Sequence, residues 1–168
     1  MRVRHFDLVS HWRLHASVES VWNELTRVED WPQWWPGLRS VHTLRAARPG
    51  GVGGVRRLEW DTGLPYGLCV EVETVEVLRH ERLRGRASGT LCGDGLWLLR
   101  GQGGLTDVTY VWRVELGLWW MRCLAPLLAP LFRWNHEKLM RAGGAGLARR
   151  LQAQADAPAS RASSPGNG

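Results

Sequence analysis

The chain contains one long stretch with helical spacing, LGLWWMRCLAPLLAPLFRWNHEKLMRAGGAGLARRL, which runs from Leu116 to Leu151. In a helix, one stripe of these side chains recurs every three or four residues and is mostly apolar. The stripe consists of Met121, Leu124, Leu128, Leu131, Phe132, Asn135, Leu139, Ala142, Gly143, Gly146 and Leu147. Charged residues fall largely on the other side, at Arg133, Glu137, Lys138, Arg141 and Arg149. The spacing therefore predicts a long helix with one face against a sheet and the other in water.

Prolines and glycines interrupt this predicted helix. Pro126 and Pro130 predict a kink or a short separate helix before about Leu131, because an interior proline removes a backbone donor and clashes with the preceding turn. Glycine costs about 1 kcal/mol of helix stability relative to alanine. Three glycines nevertheless stand near the far end, at Gly143, Gly144 and Gly146. We expect either close packing against the sheet or room for a ligand at these positions.

Asn135 is the polar residue in the middle of the apolar stripe. An unpaired amide in a dry core costs about 1–3 kcal/mol. Asn135 must therefore bond to backbone, to a neighbouring side chain such as Tyr110, or to a ligand. His136 lies at the edge of the stripe and belongs to the residue type that titrates near neutral pH.

The residues before this helix have the pattern of strands joined by short turns. Arg4 to His15 alternates as a half-buried strand, and Ser17 can cap a short helix. A second short helix begins near Asp30 and must stop at Pro36-Gly37. Six further strands follow, at about 39–46, 55–61, 66–78, 81–88, 90–100 and 106–118. Their connections are too short for helical crossovers, so the sequence predicts an antiparallel meander in an α+β fold.

One face of the later strands carries small residues where a packed core would have bulk. This face consists of Leu83, Gly85, Ala87, Gly89, Leu91, Gly93, Gly95 and Trp97. Glycine inside a strand weakens it unless something approaches closely. The chain has 11 tryptophans, so either indole rings from elsewhere or a ligand must occupy the space.

Tryptophans also cluster in two places along the chain. Trp31, Trp34 and Trp35 belong to the second short helix, where three rings are difficult to bury, and we expect some at the rim of a concavity or on an exposed contact surface. Trp119-Trp120 precedes an apolar run at residues 123–132. That run would span about 15 Å as a helix, half of a ~30 Å hydrocarbon core, so it cannot cross a membrane.

The length predicts one domain at residues 1–152, and the Ala-, Ser-, Pro- and Gly-rich composition predicts a disordered tail at 153–168. The cysteines show no C-x-x-C spacing, which favours buried thiols in a reducing compartment over disulfides or zinc. They are Cys69, Cys92 and Cys123. The first ten residues are charged and lack the apolar segment of a signal peptide, so we expect a cytoplasmic protein.

The net charge of +6 does not form a concentrated basic patch. Arginines alternate with acidic residues, and the chain has one lysine, Lys138. The three arginines of one strand should pair with glutamates on the strand before it. These are Arg82, Arg84 and Arg86 against Glu71 and Glu73. We therefore expect no nucleic-acid partner.

Motifs for metal, cofactor and hydrolase chemistry are missing. HEKLM, from His136 to Met140, begins like the zinc-protease motif H-E-x-x-H but ends in methionine. Neither the nucleophile-elbow motif nor the phosphate-binding glycine motifs occur. His5, His11 and His15 share the wet face of the first strand, where they point to solvent and have no constellation of carboxylates in sequence reach, so we expect no metal site. Acid–base chemistry stays open, since it needs only one or two positioned side chains.

Several short motifs accompany this element order. They are Val21-Trp22, Trp31-Pro32 with Trp34 to Gly37, Arg86 to Gly89, Gly93 to Trp97, Thr109 to Trp112, Arg133 to His136, Met140 and Gly146-Leu147. With them the chain resembles the helix-grip fold of the START/Bet v 1-like (SRPBCC) superfamily, in detail the polyketide cyclase/dehydrase and lipid transport family, over roughly residues 5–151. The resemblance implies a curved antiparallel sheet of about seven strands wrapped around the C-terminal helix.

The resemblance also implies a deep, largely apolar cavity between sheet and helix, which different family members use to carry lipids, bind hormones or cyclise polyketides. By position, its lining should come from Trp60, Gly85, Ala87, Leu91, Gly93, Trp97, Tyr110, Trp112, Leu128, Phe132, Asn135 and Leu139. The family has no single catalytic motif, so no residue is assigned as catalytic. We expect no cofactor, since the phosphate-binding motifs are missing.

Three functions are compatible with these features. The leading hypothesis is binding or transport of a hydrophobic small molecule, lipid-like or aromatic, oriented by Asn135 or Tyr110. The alternative is a metal-free polyketide cyclase/aromatase or dehydratase, in which His136, Tyr110 or Asn135 takes part in enolisation. The third is an interaction module that forms a homodimer or a peripheral membrane contact through its exposed tryptophans.

Overall fold

The computed structural model describes residues 5–62, 67–116 and 125–161, with side chains for 7–62, 67–115 and 129–157. The strands are β1 (His5–Leu14), β2 (Leu38–Arg45), β3 (Val55–Trp60), β4 (Leu68–Leu78), β5 (Arg82–Gly89), β6 (Leu91–Gln102) and β7 (Leu105–Leu116). The helices are α1 (Val18–Thr26), a 3₁₀ turn (Val28–Asp30), α2 (Trp31–Trp34) and α3 (Ala125–Arg161).

The strands form one antiparallel sheet in the order β1-β7-β6-β5-β4-β3-β2. From β2 to β7 each strand pairs with the next along the chain, as the short connections predict, and β1 closes the order by pairing with β7. The predicted α+β class is confirmed, with a curved seven-stranded sheet and a long C-terminal helix.

Helix α1 forms where its cap and its apolar spacing predict it. The Ser17 hydroxyl accepts a hydrogen bond from the Ser20 backbone N–H at 3.2 Å, which satisfies one of the free donors of the first turn. Val21, Trp22 and Leu25 are buried on one side. This amphipathic turn therefore packs as a helix of its own between β1 and the next helical segment.

Helix α3 extends further toward the C-terminus than the sequence predicts. It begins at Ala125, so Pro126 occupies its first turn, where the missing N–H costs nothing. The helix continues without a break from Ala125 through the exposed Pro130. The rest of the segment for which a kink or a short separate helix is predicted, residues 117–124, lies outside the described residues. Its C-terminal end is Arg161, beyond the predicted domain boundary at residue 152. None of the helices in the described ranges is both long and apolar enough to cross a membrane.

The glycines of α3 are sites of close packing against indole rings. A Cβ added at Gly143 would collide with the Trp35 ring, and one at Gly144 would lie 2.8 Å from Trp12 Cδ1. At Gly146 the added atom would collide with the Trp34 backbone. Of the two explanations that the sequence leaves open for these glycines, the structure therefore supports close packing.

Trp31, Trp34 and Trp35 are all buried, with 7%, 6% and 3% of their surface exposed. The expectation that some of them form an exposed contact surface is wrong. They are buried because α3 covers them and because two other rings, Trp12 and Trp97, pack against them. We call these five residues the tryptophan cluster. The Trp119-Trp120 pair lies outside the described residues.

A buried carboxylate, which sequence periodicity does not reveal, joins α1 to α3. Glu24 is 2% exposed, and its oxygens accept hydrogen bonds from Arg150 Nε at 2.6 Å and from Gln154 Nε2 at 2.7 Å. Trp31 Nε1 donates to the Glu24 backbone carbonyl at 3.2 Å. Because removing one partner of a buried ion pair costs about 3–5 kcal/mol, this contact fixes the position of α3 over the sheet.

The arginines of β5 find a different partner from the one predicted. Both Arg82 and Arg84 pair with Glu76, at 3.2 and 3.1 Å. A register shift between Thr74 and Glu76 moves this carboxylate next to them. The predicted partners are engaged elsewhere, Glu71 with Arg57 and Glu73 with Arg45.

Candidate ligand cavity

A cavity of about 150 Å³ lies between the inner face of the sheet and α3. Strands β3 to β7 supply most of its wall, and α3 closes it with Phe132, Asn135, His136, Leu139 and Met140. Alternation along each strand turns every second side chain to this face. The residues around the space are mainly aliphatic and aromatic, as in proteins that enclose small ligands.

Most of the residues predicted to line the cavity meet around it. These are Trp60, Gly85, Ala87, Leu91, Trp97, Tyr110, Trp112, Phe132, Asn135 and Leu139. They come from β3, β5, β6, β7 and α3, and the sheet register places those of β5, β6 and β7 side by side. Their role toward a ligand remains a prediction at this point.

Gly93 does not line the cavity, contrary to the prediction. Its φ of +151° turns the position toward β7, where an added Cβ would collide with the Arg113 carbonyl oxygen. Simple alternation assigns Gly93 to the inner face because it pairs with Ala87, and it fails here because the backbone is twisted locally. The side chain of Leu128 lies outside the described residues.

Several wall residues are additional to the predicted lining. Trp31 and Trp35 reach the cavity from α2 and its C-terminal flank, which agrees with the expectation that some tryptophans of this helix lie at a concavity, although no sequence signal selects these two. Leu68, Val70 and Val72 of β4 also line it. Their strict alternation is a signal that could have identified them.

The tryptophan cluster fills the space next to the cavity. Trp12 lies 5.5 Å from Trp35 and 5.3 Å from Trp97 between ring centroids, and Trp34 stacks on Trp35 at 5.4 Å. Trp35 also meets Trp60 edge to face at 5.3 Å. The rings therefore fill one part of the concave face and leave the part beside Trp60, Tyr110 and Trp112 open.

The strand glycines make room for the protein's own side chains as well as for the cavity. A Cβ at Gly95 would lie 2.6 Å from the Tyr110 hydroxyl oxygen, and one at Gly85 would lie 2.6 Å from Val72 Cγ1. Tyr110 stacks on Trp97 with 4.1 Å between ring centroids. Larger residues at these two glycines would displace Tyr110 and Val72 from the wall.

Asn135 is 6% exposed, and its Oδ1 has no hydrogen-bond partner among the described residues. Of the partners that the sequence leaves open for Asn135, neither backbone nor Tyr110 bonds to this oxygen in the described part of the chain. A carbonyl oxygen without a partner at this depth costs about 1–3 kcal/mol. The wall of the cavity thus contains one buried acceptor that is ready for a donor.

His136 and Tyr110 are the titratable groups of the described wall whose pKa values are clearly shifted. Burial lowers the pKa of His136 to about 4, so the imidazole is neutral at pH 7. Its Nε2 lies 3.4 Å from Ser10 Oγ, and its ring lies 5.3 Å from that of Trp112. Burial also raises the pKa of the Tyr110 hydroxyl, which keeps it protonated. Both groups therefore face the cavity uncharged.

Two arginines reach the wall, but each is engaged by a carboxylate. Arg56 Nε lies 2.7 Å from Glu29 Oε1, and Arg84 Nε lies 3.1 Å from Glu76 Oε2. The wall therefore has no unpaired cation among the residues described. No group of three or more His, Cys, Asp or Glu side chains suited to a metal ion occurs in that part of the chain either.

The curved sheet, the covering helix and the apolar cavity define a START/Bet v 1-like helix-grip protein. The family model for polyketide cyclase/dehydrase and lipid transport matches residues 6–155. The chain belongs to this family. No curated protein matches its sequence.

Solved structures agree with the family match at the level of the fold. A START superfamily protein from Mycobacterium smegmatis superposes with a TM-score of 0.73 at 15% identity, over 90% of this chain and 99% of that one. The ZhuI aromatase/cyclase from Streptomyces sp. R1128 gives 0.63 at 16% identity, over 89% and 96%. Norcoclaurine synthase from Thalictrum flavum gives 0.62 at 11%, over 92% and 98%.

Proposed function

We propose that this protein binds a hydrophobic small molecule in the cavity between its sheet and α3. The observation that carries this proposal is an apolar cavity whose wall holds a buried acceptor, Asn135 Oδ1, without a partner. Burial of apolar ligand surface supplies about 25 cal/mol per Å². A ligand donor would also offset the desolvation of the amide oxygen.

The volume limits the size of the guest. Drug-sized ligands occupy pockets of about 300–1,000 Å³, whereas an apolar cavity near 150 Å³ holds a benzene-sized molecule. The cavity of about 150 Å³ therefore suits a single ring or a short branched chain. A long acyl chain would require movement of the walls.

Native mass spectrometry of the protein purified from its own host tests the proposal. The wild-type protein should carry an additional mass of a few hundred daltons or less that is released on denaturation. Ala87→Phe should abolish it, because Ala87 is buried in the cavity wall and a phenyl ring would occupy the space. Ser88→Phe is the matched control, since Ser88 is the exposed next residue of the same strand.

Two results would contradict the proposal. One is a wild-type mass equal to that of the polypeptide alone that does not change when p-xylene is added. The other is equal retention of the small molecule by folded Ala87→Phe and Ser88→Phe, because binding would then occur outside the cavity. Circular dichroism of both variants confirms that the fold is retained.

A second candidate is acid–base catalysis of the polyketide cyclase or dehydratase kind. It is favoured by the neutral imidazole of His136 in the wall and by the family to which the chain belongs. A base with a pKa near 4 has little driving force to remove a proton at pH 7. The cavity is also small for a poly-ketone chain, so we place ligand binding first. Loss of turnover of a poly-ketone analogue in His136→Gln would favour the enzyme.

The interaction-module hypothesis loses one of its two tryptophan groups. Trp31, Trp34 and Trp35 are buried in the tryptophan cluster and present no contact surface to a membrane or a second copy. Their rings stabilise the fold instead.

A further inference from the structure

We infer that the ligand is a neutral, ring-sized molecule with a hydroxyl or N–H donor, and that this donor bonds to Asn135 Oδ1. The inference rests on the proposed function and names the chemical class of its ligand. It follows from the unpaired oxygen of Asn135, from the charge of the other polar groups in the wall, and from the shape of the apolar surface around them.

The described cavity wall contains an acceptor without a partner, Asn135 Oδ1. Asn135 is nine-tenths buried and lines the cavity, and among the described residues its Oδ1 is the buried side-chain oxygen left without a hydrogen bond. Trp34 Nε1 is also without a partner, but Trp34 does not line the cavity. An acceptor in an apolar wall selects for a donor, because a ligand without one leaves the oxygen unpaired.

The basic side chains of the described wall are either paired or uncharged. Arg56 and Arg84 are held by Glu29 and Glu76, and the imidazole of His136 is neutral. An anionic ligand would therefore meet a carbonyl oxygen without a compensating cation. Burying an unpaired carboxylate is far more costly than burying a hydroxyl. The wall consequently discriminates against carboxylates such as fatty acid anions.

Aromatic side chains form much of the apolar surface of the wall. Trp60, Trp97, Tyr110 and Trp112 contribute aromatic surface on the sheet side, and Phe132 contributes it from α3. Aromatic rings pack in offset or edge-to-face arrangements with a planar guest. A volume of about 150 Å³ matches one substituted ring. Phenols and comparable N–H heterocycles combine this shape with a neutral donor.

Three probes of one shape test the inference. p-Cresol carries the hydroxyl, p-xylene replaces it with a methyl group, and p-toluate replaces it with a carboxylate. Their dissociation constants are measured by NMR titration of the indole N–H signals of the full-length protein. Wild-type protein should bind p-cresol and p-xylene, with p-toluate weaker than p-cresol by about tenfold or more.

Asn135→Leu is the decisive variant, because leucine keeps the size of the side chain and removes the acceptor. The preference for p-cresol over p-xylene should fall by about tenfold relative to wild type, which corresponds to one lost hydrogen bond. Asn23→Leu makes the same change at an exposed position of α1 and should keep the wild-type preference. Asn135→Ala is a second variant with the same expected direction and no added bulk.

The outcomes separate this inference from the proposed function. Equal preference in wild type and Asn135→Leu, with both rings binding, would overturn the role of Asn135 and leave hydrophobic binding in place. Tighter binding of p-toluate than of p-cresol would overturn the neutral class. Failure of all three rings to bind would overturn both the proposed function and the inference.

Discussion

The tryptophan cluster and the cavity lie side by side on the same concave face, but α3 covers them in different ways. In the cluster, α3 supplies glycines, and rings such as Trp35 pack directly against its backbone. At the cavity, α3 supplies Phe132, Asn135 and Leu139, and space remains between helix and sheet. The same helix is therefore a close-packing surface at one end and a lid at the other.

Each region contains one buried polar atom without a partner among the described residues, but the surroundings of the two atoms differ. Trp35 Nε1 donates to the Leu139 carbonyl at 2.9 Å and Trp31 Nε1 donates to the Glu24 carbonyl, whereas Trp34 Nε1 is unpaired. Asn135 Oδ1 is unpaired in the cavity wall, and Trp34 does not line the cavity. Buried polar groups in native proteins are usually bonded. A ligand in the cavity can therefore remove the cost at Asn135 but not the cost at Trp34.

The largest expected effect on stability comes from removing a ring of the tryptophan cluster. Trp35→Ala should lower the free energy of unfolding by about 3–5 kcal/mol, because a 3% exposed ring would leave a large void beneath α3. Trp112→Ala should cost less, since the Trp112 side chain is only partly buried and loses less packing. Trp134→Ala, at a 57% exposed position of α3, should cost under about 1 kcal/mol. Urea denaturation measures all three, and equal losses at Trp35 and Trp112 would contradict the comparison.

Acid should weaken the cavity wall through His136. Its folded pKa is about 4, below the ordinary value of 6.5, so the unfolded chain binds a proton at a pH where the folded chain does not. Above pH 6.5 the imidazole is neutral in the folded and the unfolded chain, so His136 costs no stability. The free energy of unfolding falls as the pH drops from 6.5 to 4. A pKa lowered from 6.5 to about 4 in the folded state corresponds to a loss of about 3 kcal/mol in the free energy of unfolding at low pH.

Denaturation at a series of pH values, comparing wild type with His136→Gln, measures this contribution. The variant should lose much of the decline between pH 6.5 and pH 4. His42→Gln, at an exposed position of β2, should keep the wild-type slope. An unchanged slope in His136→Gln would show that other groups cause the acid sensitivity.

The smallest expected effect concerns the unpaired amide. Asn135→Leu should raise the free energy of unfolding of the ligand-free protein by about 1 kcal/mol, because it removes a buried oxygen without a partner. Asn23→Leu at an exposed position should change it little. A loss of stability in Asn135→Leu would mean that the amide is bonded within the fold, and the cavity wall would then offer no unpaired acceptor to a ligand.

Much of the architecture could be predicted from local sequence. The Ser17 cap, the apolar side of α1 and the meander of β2 to β7 follow from capping, helical spacing and turn residues. The inward positions of Trp60, Ala87, Leu91 and Trp97 follow from alternation. Gly93 shows the limit of that rule, since a single unusual φ removes it from the face that alternation assigns.

The long-range contacts could not be predicted in the same way. Whether Trp31, Trp34 and Trp35 are buried depends on what covers them, and the glycines that pack against Trp34 and Trp35 lie in α3. The pairing of Glu24 with Arg150 depends on how α3 packs against α1. The pairing of Glu76 with Arg82 depends on the register shift between β4 and β5. Charge and spacing alone assign such partners incorrectly.

The sequence by itself determined the order of elements, the helix that covers the sheet and most of the inner face, because periodicity and turn chemistry involve neighbouring residues. Only the tertiary structure decided where that face is filled and where it is open. The reason is that free volume depends on how side chains from distant segments fit together, such as Trp35 against Gly143 and Tyr110 against Gly95. That fit leaves Asn135 beside an open space instead of a partner.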